Sequence, residues 1–170
     1  MSVEFIDCMG SDLTVVNAAR VSFAKVHTEM DASDEKLVAY LAKHNHMSPF
    51  FHPQIQLRIK MPIFVAREWY RHTVGFSRNE VSRRYVSDEP ECWIPSEEDL
   101  REKDAKVKQG SRDNAVSNAE ELRAEVTAFT NTAVTLYNRL LEQKVAPEIA
   151  RTVLPQSMYT EFVETASLAA

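Results

Sequence analysis

Cysteine is nearly absent from this chain: only Cys8 and Cys92 occur, without CxxC spacing. That excludes a disulfide framework and a cysteine zinc site, and it fits a reducing compartment. Basic charge is not in excess either, since 20 Lys and Arg face 25 Asp and Glu. A general coat for nucleic acid is therefore excluded, and any arginine cluster is a local feature. No apolar run has signal or membrane-spanning length, and the N-terminus carries Glu4 and Asp7, so the chain reads as soluble and cytoplasmic, with no membrane partner. Repeats and low-complexity tracts are missing too. The 170 residues suffice for a single domain, 1–170, with a substantial core.

Against this background one stretch stands out. Arg71 to Tyr85 reads RHTVGFSRNEVSRRY and holds four arginines, a histidine, a glutamate and two serines. Arginine presents a planar fork of donors that matches phosphate or carboxylate and stays charged at physiological pH. Serine hydroxyls and backbone amides complete such a site, and Gly75 lets the loop backbone approach a ligand. A solvated basic loop is the bland alternative. An RNA-binding patch stacking bases on Tyr70 and Tyr85 is another. Asn79, Glu80 and Tyr85 interrupt the positive charge, which favours a shaped polar site.

Taken in order, Val3 to Ile6 reads as an edge strand ending at Gly10-Ser11-Asp12, and Leu13 to Arg20 as a helix capped by Ser11 or Asp12. Lys25 to Ser33 is polar, as in a loop, and Asp34 to Lys43 resumes a helix with Leu37, Val38 and Leu41 on one stripe. His44, His46 and His52 raise a metal hypothesis, but neither HExxH nor a cysteine partner accompanies them, so no metal is expected. Gln54 to Lys60 alternates as a strand with Ile55, Leu57 and Ile59 on one face. Pro62 to His72 reads as the helix delivering the arginine loop.

Beyond the loop, Tyr85 to Cys92 reads as the start of a strand, and Ser96 with Glu97, Glu98 and Asp99 as a capped first helical turn. Lys103 to Asn114 reads as an exposed loop. Ser117 to Lys144 is the clearest helix, with Leu122, Val126, Phe129, Ala133, Leu136 and Leu140 in one stripe. A further helix starts at Pro147 and ends before Pro155. It sets Arg151 among Ile149, Ala150, Val153 and Leu154, an apolar setting that demands an anionic or polar partner, either a structural salt bridge or a ligand.

RHTVGFSRNEVSRRY resembles the motif of the flavin-dependent thymidylate synthases, usually RHRxxSxNExSxRY. Thr73 stands where that motif has its second arginine, and the loop is one residue longer. NAARVSF (17–23), HNHMSPFFHPQI (44–55), MPIFVAREWYRH (61–72), KQGS (108–111) and PEIARTVLPQSMYT (147–160) match further blocks in family order. The resemblance implies an α+β fold, a mixed sheet packed with long helices, assembled as a homotetramer with shared active sites. It implies conversion of dUMP to dTMP, with methylenetetrahydrofolate as carbon donor, FAD as hydride carrier and NADPH as reductant, and no protein nucleophile.

Carried over by position, the resemblance gives catalytic roles to Arg151, Ser82 and His46. It gives dUMP contacts to Glu68, Glu80, Ser82, Arg83, Arg84 and Arg151, and FAD contacts to Ser22, Arg71, His72, Thr73, Asn79 and Glu80. Phe51 replaces the family's usual glutamate, Glu68 its glutamine and Ser167 its asparagine. Family members continue past this point with a further helical segment, so a shortened copy that binds nucleotide without turnover is the alternative expectation.

Overall fold

Strands of alternating polarity, two of them far apart in the chain, make the main sheet. In the computed structural model, which describes residues 1–86 and 88–170, β1 (Ser2–Met9) pairs antiparallel with β2 (Gln54–Pro62), with an irregularity between Phe5 and Asp7. β3 (Phe76–Glu80) pairs antiparallel with a strand, Tyr159–Ser167, that is numbered β6 below. The sheet order is β1-β2-β6-β3, so β1 is an edge strand as expected. β4 (Arg101–Lys103) and β5 (Ser111–Ala115) form a separate two-stranded sheet, and β6 closes the series. With its helices, the protein is an α+β fold.

The chain packs as two compact units: Met1–Met61, Val65–Val81 and Thr160–Ala170 form the first, Pro62–Phe64 and Ser82–Tyr159 the second. In the first, α1 (Asp12–Arg20) is entered through Ser11, whose N–H donates to Thr14 Oγ1 at 3.0 Å. Gly10, at φ +84°, makes the turn before it; a Cβ there would press on Thr14 and on the Pro53 backbone. α2 (Ala32–Lys43) starts earlier than the sequence suggests, because Asp31 caps it by accepting from the N–H groups of Ser33 and Asp34. Val15, Leu41 and Phe50 pack together with Leu37 and Val38 around them, which is the expected stripe. A second core joins Ile59 and Met61 of β2, Ala66 of α3 (Ile63–Trp69) and Phe162 of β6.

The second unit carries α4 (Ala119–Glu142), 24 residues long as its periodicity promised. Its buried face is rotated from the expected one. Thr130, Ala133 and Tyr137 are buried, while Phe129 is 66% and Leu136 41% exposed. α5 (Pro147–Ala150) is a single turn continued by a 3₁₀ turn, Arg151–Val153, and stops before Pro155.

Three further expectations change. Pro62 closes β2 rather than opening the helix. Ser96 caps only a turn: Asp99 accepts from its N–H and hydroxyl at 2.9 and 2.8 Å, which holds the Asp99 carboxyl below the usual carboxylate range, and no helix follows. The stretch read as an exposed loop, Lys103 to Asn114, contributes to the β4–β5 ladder, with all of β5 exposed. The strand expected from Tyr85 runs through Ser87, which lies outside the described residues. Before it, Ser82 O accepts from the N–H groups of Tyr85 and Val86, and after it Cys92 forms one antiparallel bridge to Met158.

No helix among the described residues is long and apolar enough to cross a membrane.

Candidate functional site

The motif read as one arginine loop is two different structures. Arg71 to Val81 belongs to the first unit and Ser82 to Tyr85 to the second. In the first part the chain leaves α3 and turns through Gly75, at φ +79°, into β3. Within β3 the side chains of Phe76, Arg78 and Glu80 share one face by the two-residue period of a strand. Arg78 lies directly opposite Glu164 of β6, and its Nε donates to that carboxylate. Glu164 is 2% exposed and also accepts from Trp69 Nε1 at 2.9 Å. Arg78 Nη1 reaches back to the carbonyl of His72 at 2.6 Å, and its guanidinium lies over the Phe76 and Tyr70 rings, 4.5 and 5.3 Å from their centroids.

Glu80 accepts a hydrogen bond from Thr160 Oγ1 across the same strand pair. The Tyr70 hydroxyl is buried with no hydrogen-bond partner among the described residues, and burial, with the Glu80 charge second, pushes it well above the ordinary phenol range. Arg71, His72, Thr73 and Asn79 are exposed. Glu68 lies beside Arg71, its carboxylate 3.0 Å from Arg71 Nη1, and both side chains are about three-quarters exposed. That contact neutralises an acid which alone would repel a phosphate.

In the second unit the Ser82–Tyr85 turn half-buries Ser82 and Arg83 and exposes Arg84. Arg83 donates to the Asp88 carbonyl, whereas Arg84 stands over the Tyr85 ring, 5.5 Å from its centroid. The Cys92 thiol is pushed up by burial, against the opposing charge of Arg83. Arg151 is exposed and makes no ion pair with the described residues, which corrects the buried setting expected for it. The turn buries Ala150 but leaves Ile149 58% exposed, so its apolar residues do not enclose Arg151.

Ser22 and His46 are exposed in the first unit, on a 3₁₀ turn (Val21–Phe23) and just after α2, where the His46 ring meets the Tyr40 ring edge-on at 6.0 Å. Potential metal ligands converge elsewhere: His27, Asp31 and Asp34 form the one such cluster among the described residues. Its buried Asp34 is already occupied, bound by Arg20 at 2.6 Å and His27 Nδ1 at 2.7 Å. Burial works to raise this carboxyl, yet the hydrogen bonds from His27 and Arg20 hold it below the usual range. Asn17 clamps the His27 backbone on both sides, at 2.8 and 2.9 Å, so the segment after Ser22 is fastened to α1.

A cavity of about 240 Å³ in the first unit is lined by Phe51, Gln54, Gly75, Phe76, Ser77, Thr165 and Ser167. The Ser167 hydroxyl is buried there without a hydrogen-bond partner among the described residues, and a Cβ at Gly75 would come within 2.4 Å of it. Two aromatic walls with hydroxyl and amide edges suit a flat heteroaromatic ring, and the volume admits one ring system rather than a whole dinucleotide. Sequence reasoning missed Arg78 and Glu164. The signal was the matched alternation of Phe76-Arg78-Glu80 and Thr160-Phe162-Glu164.

The family profile described as thymidylate synthase complementing protein matches residues 4–170. Proteins named flavin-dependent thymidylate synthase are similar: that of Kosmotoga olearia is 43% identical over 161 residues, 94% of this chain and 68% of that one. That of Thermus thermophilus is 40% identical, over 94% of this chain and 57% of its own. The Wolbachia pipientis protein is 37% identical, and the chain spans 56% of its length. Among solved structures, the UMP/dUMP methylase PolB from Streptomyces cacaoi bound with 5-Br dUMP superposes with a TM-score of 0.80 at 34% identity, over 98% of this chain and 73% of that one.

Proposed function

The chain belongs to the thymidylate synthase complementing protein family, the flavin-dependent thymidylate synthases, and from that premise we propose that it converts dUMP to dTMP in nucleotide biosynthesis. Methylenetetrahydrofolate gives the carbon, and NADPH is the reductant. The observation that carries the reading is the arrangement of the motif: exposed Arg84 and Arg151 in the second unit, and exposed Arg71, His72 and Asn79 around β3 in the first.

In this reading Ser82, Arg83 and Arg84, with the backbone from Glu80 to Arg83, hold the dUMP phosphate. Arg84 is the member whose charge is exposed for a bidentate contact, whereas Arg83 is engaged by the Asp88 carbonyl and fixes the turn. Arg151 stabilises negative charge developing on the uracil, an electrostatic role that suits an exposed guanidinium without an ion-pair partner among the described residues. Glu68 and Glu80 orient the nucleotide, Glu68 with its charge offset by Arg71. His46 lines the reacting side.

Ser22, Arg71, His72, Thr73, Asn79 and Glu80 hold FAD, and the orphaned Ser167 hydroxyl beside Gly75 supports the fit of a polar ring edge there. When bound, the flavin supplies hydride-transfer chemistry that no side chain can provide. The residues bind, orient and exclude water. The two units act as one functional domain in the cytoplasm, and the exposed Phe129 and Leu136 on α4 support assembly into a homotetramer with shared active sites.

The direct test supplies the purified protein with dUMP, FAD, NADPH and methylenetetrahydrofolate and follows dTMP by chromatography. Product that disappears when any one component is omitted is expected. No dTMP from a protein that retains flavin overturns the reading of the whole reaction.

A further inference from the structure

We infer that Arg78, acting through Glu164, is a positioning residue for the flavin set, an inference that rests on the proposed flavin reading. The argument begins with cost. Burying an ion pair is close to neutral or unfavourable compared with apolar residues of the same volume, because desolvation offsets the attraction. Here the balance is worse still, since Arg78 Nη2 is buried without a hydrogen-bond partner among the described residues. Stability therefore does not explain an arginine at this point.

Geometry does. One guanidinium ties three things together: the Glu164 carboxylate directly across the sheet, the His72 carbonyl at 2.6 Å, and the Phe76 and Tyr70 rings. Glu164 is in turn fixed by Trp69 Nε1 from the end of α3. The residues so joined flank the turn that presents Arg71, His72 and Thr73, and the strand that presents Asn79 and Glu80. Without Arg78 the turn keeps backbone contacts, such as Phe76 N–H to Thr73 O at 3.3 Å and Ser167 N–H to Gly75 O at 2.9 Å, and the exposed Glu68–Arg71 pair. Lysine cannot take its place, because one ammonium has neither the planar fork nor the reach to bind carboxylate and carbonyl in these directions.

The test compares the protein with the double variant Arg78→Met/Glu164→Leu and with Arg78→Lys. Three quantities are read: FAD affinity by fluorescence quenching, melting temperature, and hydrogen exchange of residues 71–76 without ligand. The double variant is expected to melt at or above the parent temperature while binding FAD roughly tenfold more weakly, as groups that must be reordered on binding would give. Its 71–76 amides should exchange faster. Arg78→Lys should show the same pattern at smaller amplitude, and it decides the matter if the double variant does not fold. A folded variant with parental FAD affinity and parental exchange at 71–76 overturns the inference. If the parent itself binds no FAD, the flavin reading fails instead, and the exchange rates alone then decide whether Arg78 fixes this turn.

Discussion

Two halves of one motif put arginine to opposite uses. In β3, Arg78 is 15% exposed and its charge is spent on Glu164 and a backbone carbonyl. In the following turn, Arg84 is exposed with a tyrosine ring beside it, and Arg151 is exposed as well. Burial decides which task a guanidinium can perform. A buried one must already have its partners and so organises the backbone, whereas an exposed one keeps its donors for a ligand.

The sharpest way to break the comparison is Glu164→Ala. It leaves Arg78 buried without its carboxylate, which is expected to cost about 3–5 kcal/mol of stability, measured by urea unfolding. A loss below about 1 kcal/mol would mean that water or another group compensates. Arg151→Ala should do the reverse: an unchanged melting temperature, but dUMP binding weaker by about 1.5–3 kcal/mol, the size of a hydrogen bond to a charged group, read by calorimetry. Loss of stability in that variant would place Arg151 among the structural arginines.

Asp34 extends the buried side of the comparison. Its carboxyl is held below the ordinary value by His27 and Arg20 despite burial. A depressed carboxylate favours the folded state above the unfolded pKa of about 4, and that contribution disappears as pH falls through the lower folded value. Asp34→Asn should therefore flatten the acid limb of the stability profile, seen by acid titration of circular dichroism, while an unaltered limb would show that other carboxylates govern it. The smallest effect belongs to Glu68→Gln. Its exposed pair with Arg71 is expected to contribute no more than about 0.5 kcal/mol, so thermal melting should barely move, and a shift of several degrees would contradict the solvent-screened picture.

Legibility in the sequence followed the range of the interactions. β2, α2 and α4 were readable because their apolar spacing is local, and the start of α1 because turn and cap residues are too. β3 and β6 were not, since they define each other across more than eighty positions and neither is apolar enough to announce itself: Arg78 and Glu164 are core residues only as a pair. The β4–β5 ladder was hidden because β5, Ser-Arg-Asp-Asn-Ala, buries neither face. The α4 stripe was misplaced by hydrophobicity alone, which favoured Leu136 over Tyr137, whereas Tyr137 is 2% exposed. Residue types marked the candidate site as rich in anion-binding groups. They could not say which arginines were already engaged, because that depends on partners from distant strands.

The most direct test of the central claim is the visible absorption spectrum of the purified protein, recorded after FAD addition and desalting and again with dUMP. The account predicts flavin bands that survive desalting and shift on dUMP addition, since both halves of the motif would then be binding at once. A protein that stays colourless after exposure to FAD would contradict it.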